Sequence, residues 1–276
     1  MTSVRFLRKA VTALATAIAV TASGVAGAHE FWMLPGSFDA QPGAAVSLSM
    51  HVGEYFAGDL VGLSQPFVTQ LKRGVGADTT DLLAQLPDAA AGFVRVPVTQ
   101  SGTQVFWADT ATSRVELPAG RFHAYLHDEG LDYVIAMREK AGTAETPGRE
   151  RFRRHVKTLV RVGETAGSGA LQATGQRLEI VPLVDPSTTP AGRDLGFQVM
   201  WEGKPLANAL VKFWHRRAGQ LLMIRTVTNP AGRVSVTPPW PGVWMASVVH
   251  MIAATDSPDV DWDSYWGNLT FDLRPR

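Results

Sequence analysis

A histidine at a free chain start carries an α-amine and an imidazole that can close on one metal ion together. His29 stands where such a start would be made, directly after Ala26-Gly27-Ala28. An α-amine with a pKa of about 8 is substantially available at neutral pH. A third nitrogen from another histidine would complete a T-shaped set suited to Cu(II) or Ni(II), which favour planar nitrogen coordination. The bland alternative is that His29 is only the residue a peptidase leaves behind.

Partners for it must come from His51, His123, His127, His155, His215 and His250. There is no HExxH, no close HxH and no cysteine, so a zinc-hydrolase signature is missing. His123 and His127 are four apart, which on a helix would give one face. Phe122 to Leu126 reads as a strand, however, and there residues four apart lie about 13 Å from one another. His250 closes the apolar run Val243 to Val249, where it can emerge at a sandwich rim or be hydrogen-bonded at a strand end.

Oxygen chemistry is the other possibility. Asp256, Asp259, Asp261 and Asp263 crowd beside Trp262, Tyr265 and Trp266. A Ca²⁺ loop of the EF-hand type would need a glycine and a final glutamate that are absent, so the segment reads first as a solvated acidic loop. The tryptophans allow an aromatic sugar-binding face, but Trp201 and Trp244 lie in apolar strand runs that suit a core. No GxSxG, P-loop or GxGxxG fingerprint appears, and the expectation is a binding protein, not an enzyme.

The elements that must position these residues begin after an export signal. Arg5, Arg8 and Lys9 precede an apolar stretch from Val11 to about Val20 and a small-residue exit, which predicts a signal peptide at 1–28 and a periplasmic chain from His29. Removing three basic residues turns the formal net charge from +1 to −2. A near-neutral surface argues against nucleic acid, and the basic run 149–157 has the spacing of one solvated helix face. No remaining stretch is long and apolar enough for a membrane span of roughly 20 residues.

From 45–52, 93–98, 104–107 and 114–117, apolar and polar residues alternate with period two, the pattern of sandwich strands. A helix is expected between Gly130 and Gly142, and a second helical stretch ending near Lys157. The small, polar segment 163–175 predicts a boundary between an N-terminal β domain (29–165) and a C-terminal sandwich (175–276). Seven short strands follow it at 178–181, 195–201, 209–214, 221–224, 233–236, 243–250 and 267–273. The fold class is therefore mostly β: two β-sandwich domains, with one or two short helices in the first.

Several of these segments carry a resemblance. His29-Glu-Phe-Trp-Met-Leu-Pro35, Val52-Gly-Glu-Tyr-Phe56, Phe122-His-Ala-Tyr-Leu-His-Asp-Glu-Gly-Leu-Asp132, Gly148 to Leu159, Glu202-Gly-Lys-Pro205, Pro241-Gly-Val-Trp244, Val249-His250-Met251 and Trp266-Gly-Asn-Leu-Thr-Phe271 resemble the domain of unknown function 4198 family. The resemblance implies a periplasmic protein associated with nickel or cobalt uptake, with an immunoglobulin-like or transthyretin-like C-terminal module. The matching positions able to bind metal are His29 and His250, whereas His51 and His155 do not coincide with the family pattern. The expected function is thus a soluble periplasmic protein that binds Ni²⁺, Co²⁺ or Cu²⁺ and serves an inner- or outer-membrane uptake component. The alternative is a carbohydrate- or protein-binding accessory module of an envelope receptor, without metal.

Overall fold

The computed structural model describes residues 29 to 275 except 88, 89 and 166, and the expected signal peptide lies outside the described residues. Along the chain run β1 (Glu30–Pro35), β2 (Asp39–Ala40), β3 (Ala44–Glu54), β4 (Ala57–Val61), β5 (Val68–Val75), β6 (Asp78–Asp81), β7 (Val94–Val98), β8 (Gly102–Thr110) and β9 (Ser113–Leu117). Helices α1 (Ala119–Asp128) and α2 (Asp132–Lys140) follow, then β10 (Gly148–Val162), β11 (Leu178–Pro182), β12 (Leu195–Trp201) and β13 (Lys204–Pro205). The chain closes with β14 (Leu210–Arg217), β15 (Gln220–Val227), β16 (Arg233–Val236), β17 (Gly242–Ala253) and β18 (Trp262–Leu273). Strand outweighs helix, 54% against 12%, so the chain is mostly β, as the alternating runs predicted.

A ten-stranded sheet forms the middle of the molecule, in the order β15-β14-β17-β18-β10-β8-β5-β6, with β2 and β9 also paired to β10. Because successive side chains point to opposite faces of a strand, each of its strands feeds two cores. Val105, Trp107 and Leu159 face the small sheet of β11, β12, β13 and β16, together with Phe213, Trp244, Leu269 and Phe271. Phe106, Ala108, Val156 and Val160 face the other way, onto the sheet in which β3 pairs with β1, β4 and β7. The helices cover that second face further along, with Phe122, Leu126 and Val134 against Val249, Met251 and Trp266. The result is a β-sandwich on either side of a shared sheet.

Two expectations are corrected. Residues 122–126 are helical, not extended: Phe122, Tyr125 and Leu126 are buried at spacings of three and one, the stripe of a helix. Conversely, the basic run 149–157 is not a helix but the start of the 15-residue strand β10. Arg149, Arg151 and Arg153 alternate along it, and β18 with the loop before it supplies matching carboxylates. Arg149 donates to Asp261 at 2.6 Å, and Arg151 to Asp263 at 2.5 Å and Asp256 at 2.8 Å. Of the acidic segment 256–263, Asp256, Asp261 and Asp263 are ion-paired, while Asp256 and Asp259 stay exposed in the loop before β18.

The segment 163–175 joins halves that share hydrogen bonds. β10 from the first half runs parallel to β18 from the second, from Glu150 opposite Trp262 to Thr158 opposite Thr270. Lys157 and Glu179, both buried, form an ion pair of 2.7 Å across the two halves.

Candidate functional site

The β3–β4 hairpin turns through Tyr55 and Phe56, both with φ of 54°. A left-handed conformation at both central positions gives the twist a two-residue hairpin needs, but for residues with a Cβ it costs roughly 1–2 kcal/mol each. Surrounding contacts hold the turn. Arg216 Nε donates to the Tyr55 carbonyl at 2.8 Å. The Phe56 ring meets Trp32 edge-on at 5.4 Å, and the Tyr55 ring meets Trp214 at 6.3 Å. Strained backbone of this kind clusters at functional sites, and the hairpin tip separates two clefts.

The first cleft, of about 100 Å³, is lined by Glu30, Glu54, Tyr55, Asp128, Glu129, Lys212 and Trp214. Each charged group is delivered by a defined element. Glu30 opens β1 and turns away from Phe31 and Met33, so it enters the large sheet instead of the hairpin core. There it accepts hydrogen bonds from Ser247 Oγ at 2.9 Å and Asn268 Nδ2 at 3.1 Å. Asp128 and Glu129 end α1, where Gly130 adopts φ of 69°. A Cβ on Gly130 would meet Leu210 Cβ at 2.6 Å, so glycine lets the helix end press against β14. That contact brings Glu129 and Asp128 within 2.7 and 3.0 Å of Lys212 Nζ. The negative end of the helix adds to the attraction.

One ammonium thus serves two buried carboxylates, Glu129 and Glu30, and the exposed Asp128. Burial pushes Glu129 up to about 8, reinforced by the nearby Glu30 charge, and burial likewise raises Glu30. Lys212 is held above its ordinary value: burial opposes its charge, but Glu129 and Glu30 outweigh it. Burial thus favours the protonated form of the carboxyl groups, and the positive centre of the cluster is Lys212.

The second cleft, of about 600 Å³, lies on the other side of the tip, among Trp32, Leu34, Phe38, His51, Phe56 and Arg216. His51 stacks on Trp32 at 5.9 Å and shares a 3.0 Å hydrogen bond with Ser49. Burial lowers its pKa, which keeps the imidazole neutral.

Of the residues singled out in the sequence, His29 comes to this region and His250 does not. His29 Nε2 lies 3.4 Å from Glu54 Oε1, a residue of the acidic cleft. His250 has the opposite parity on β17 from Ser247, the partner of Glu30, and so points to the other face of the sheet. It packs edge-on against Trp201 at 4.6 Å, and its Nδ1 lies 3.3 Å from the Tyr133 hydroxyl. Burial drives it down to about 4, leaving it neutral. His215 is buried with Nδ1 on the Val243 carbonyl, and His155 is buried with Nδ1 2.7 Å from Asp109. Among the described residues no three histidine, aspartate or glutamate side chains stand together so as to hold a metal ion.

A model of the family described as a domain of unknown function (DUF4198) matches residues 26–252. The chain belongs to that family. No curated protein matches it. Among solved structures it is similar, at 12% identity, to the tetra-tandem repeat in the extending region of a large adhesion protein, with 89% of this chain and 49% of that one covered and a TM-score of 0.22. It is similar at 10% identity to Escherichia coli alpha-2-macroglobulin activated by porcine elastase, with 90% and 20% covered and a TM-score of 0.23. The chain spans about half the length of the first of these and a fifth of the second.

In this DUF4198 chain, three segments that carried the resemblance converge on the acidic cleft: Glu30 from His29-Glu-Phe-Trp32, Glu54 and Tyr55 from Val52-Gly-Glu-Tyr-Phe56, and Asp128 and Glu129 from the segment 122–132. Nothing in the local pattern of these segments marks their carboxylates as one site. A carboxylate within each segment was the available signal, but the Lys212 that unites them lies far along the chain.

Proposed function

We propose that this protein is exported, begins at His29 in its mature form, and captures a transition-metal ion, Ni²⁺ or Co²⁺ or alternatively Cu²⁺, for an uptake component of the envelope. Binding, not catalysis, is its task. The observation that carries the reading is His29 Nε2 at 3.4 Å from Glu54 Oε1. A carboxylate on Nε2 orients the ring and leaves Nδ1 for metal. A cut before His29 would free the α-amine to close a six-membered chelate with that Nδ1. The carboxylates of the neighbouring cleft would draw a cation toward this end of the molecule.

Calorimetry with Ni²⁺, Co²⁺ and Cu²⁺ on protein starting at His29 tests this. A tight site at the chain start is expected, weakened at least about tenfold by a Met-Gly extension ahead of His29. His29→Ala removes the imidazole and weakens it further. Equal affinity in all three proteins discards the chelate.

A second reading, an accessory module binding carbohydrate or protein without metal, is favoured by the aromatic hairpin tip. Tyr55 is 56% exposed between the two clefts, whereas Trp107 and Trp244 are buried in the core. Glycan screening with a Tyr55→Ala control separates this reading from the first.

A further inference from the structure

We infer that α1 carries a second transition-metal site, formed by His123 and His127 and independent of the chain start. The helical course of Ala119–Asp128 decides this, because extended backbone would hold the two imidazoles apart. On a helix, residues four apart are neighbours, with Cβ atoms about 5–6 Å from each other. Two imidazoles so placed can reach one ion at metal–nitrogen distances of about 2 Å. The same i, i+4 spacing on a helix supplies the histidine pair of zinc proteases.

The face is open and its backbone is held. Phe122, Tyr125 and Leu126 bury the opposite side of α1 against the sheet, so the helix does not depend on the metal to form. His123 and His127 are both exposed. A helical side chain leans over the turn before it, and the position one turn before His123 is Gly120, where a Cβ would meet nothing within 4 Å. His123 makes no hydrogen bond or ion pair among the described residues.

His127 is already oriented as a ligand. Its Nδ1 lies 2.9 Å from Asp132 Oδ1, at the start of α2. With Nδ1–H donated to a carboxylate, Nε2 carries the lone pair that a metal needs, an arrangement in which the carboxylate fixes the tautomer and raises ligand basicity. Asp132 also places a negative charge beside His127. Two protein nitrogens leave the ion's other positions to water or to an incoming ligand. The site is therefore one for exchange, suited to Cu²⁺ first, then Ni²⁺ and Zn²⁺, following the affinity order of nitrogen sites.

The test uses protein with the Met-Gly extension, in which the chain-start chelate is blocked. Titration with Cu²⁺ should reveal one equivalent of binding in the calorimeter. His123→Ala and His127→Ala should each weaken it at least about tenfold, and Asp132→Asn about tenfold through the lost orientation of His127. Bound Cu²⁺ should also broaden the ring signals of these two histidines selectively in the proton spectrum. Unchanged circular dichroism would show that the exposed substitutions leave the fold intact. Absence of binding in the extended protein, or binding that survives both alanine variants, overturns the proposal. Loss of binding in His29→Ala alone, without the extension, concerns the chain start and leaves this site unaffected.

Discussion

Lys212 is 2% exposed and meets Glu129 at 2.7 Å, with Glu30 close enough to raise its pKa further. Removing the ammonium leaves buried carboxylates without compensation, a change that costs roughly 3–5 kcal/mol. Lys212→Met should lower stability by that order, as read by denaturant titration. The deficit should grow as pH rises through about 8. In the variant the native carboxyl groups hold protons that the native parent releases as pH passes about 8, so the variant's native state binds more protons and loses more stability with rising pH. A deficit independent of pH would mean that Lys212 contributes only packing. The cluster was invisible to sequence reasoning because Glu30, Glu129 and Lys212 each read as an ordinary charged residue until the sheet brings them together.

β10 shows how an element can be misread from its charges and then explained by them. Four arginines in six residues suit a solvated helix, yet Arg149 and Arg151 alternate with the inward-facing Glu150, and their carboxylates come from a strand more than a hundred residues later. Glu150 fastens the helix layer to the sheet: it accepts from the Tyr125 hydroxyl at 3.2 Å and from Ser264 Oγ. Burial raises it from 4.5 to about 7. A carboxyl group whose folded pKa is raised binds a proton in the native state that the unfolded chain has released. Stability therefore falls as pH rises from about 4.5 to about 7. Glu150→Gln cannot titrate. Relative to the parent it should gain on the order of 3 kcal/mol across that window, at about 1.4 kcal/mol per pKa unit, in thermal or denaturant melts taken at successive pH values. Parallel pH profiles for the two proteins would assign the slope to other groups. α1 was misread for a different reason: Phe122 to Leu126 is too short an apolar run for its period to be told from that of a strand.

At the scale of the whole molecule, strands from both halves join one ten-stranded sheet. β10 and β18 pair across them, and Lys157 meets Glu179 with both side chains 2% exposed. Glu179→Ala should therefore destabilise the protein by roughly 3–5 kcal/mol and move one shared unfolding transition, detected by tryptophan fluorescence and circular dichroism alike. Two separated transitions, only one of them shifted, would restore independent domains divided at 163–175. The sequence by itself determined that the chain is mostly β, where most strands run, and which family it resembles, because alternation, turn residues and short motifs are written locally. Only the tertiary structure decided that β10 is a strand, that α1 is a helix with His123 and His127 on one face, and that His29 lies beside Glu54 while His250 points to the opposite side of the sheet. Those outcomes depend on partners distant in the chain: a carboxylate across a parallel strand, an apolar sheet beneath a helix, and the pleat that assigns neighbouring residues to opposite faces.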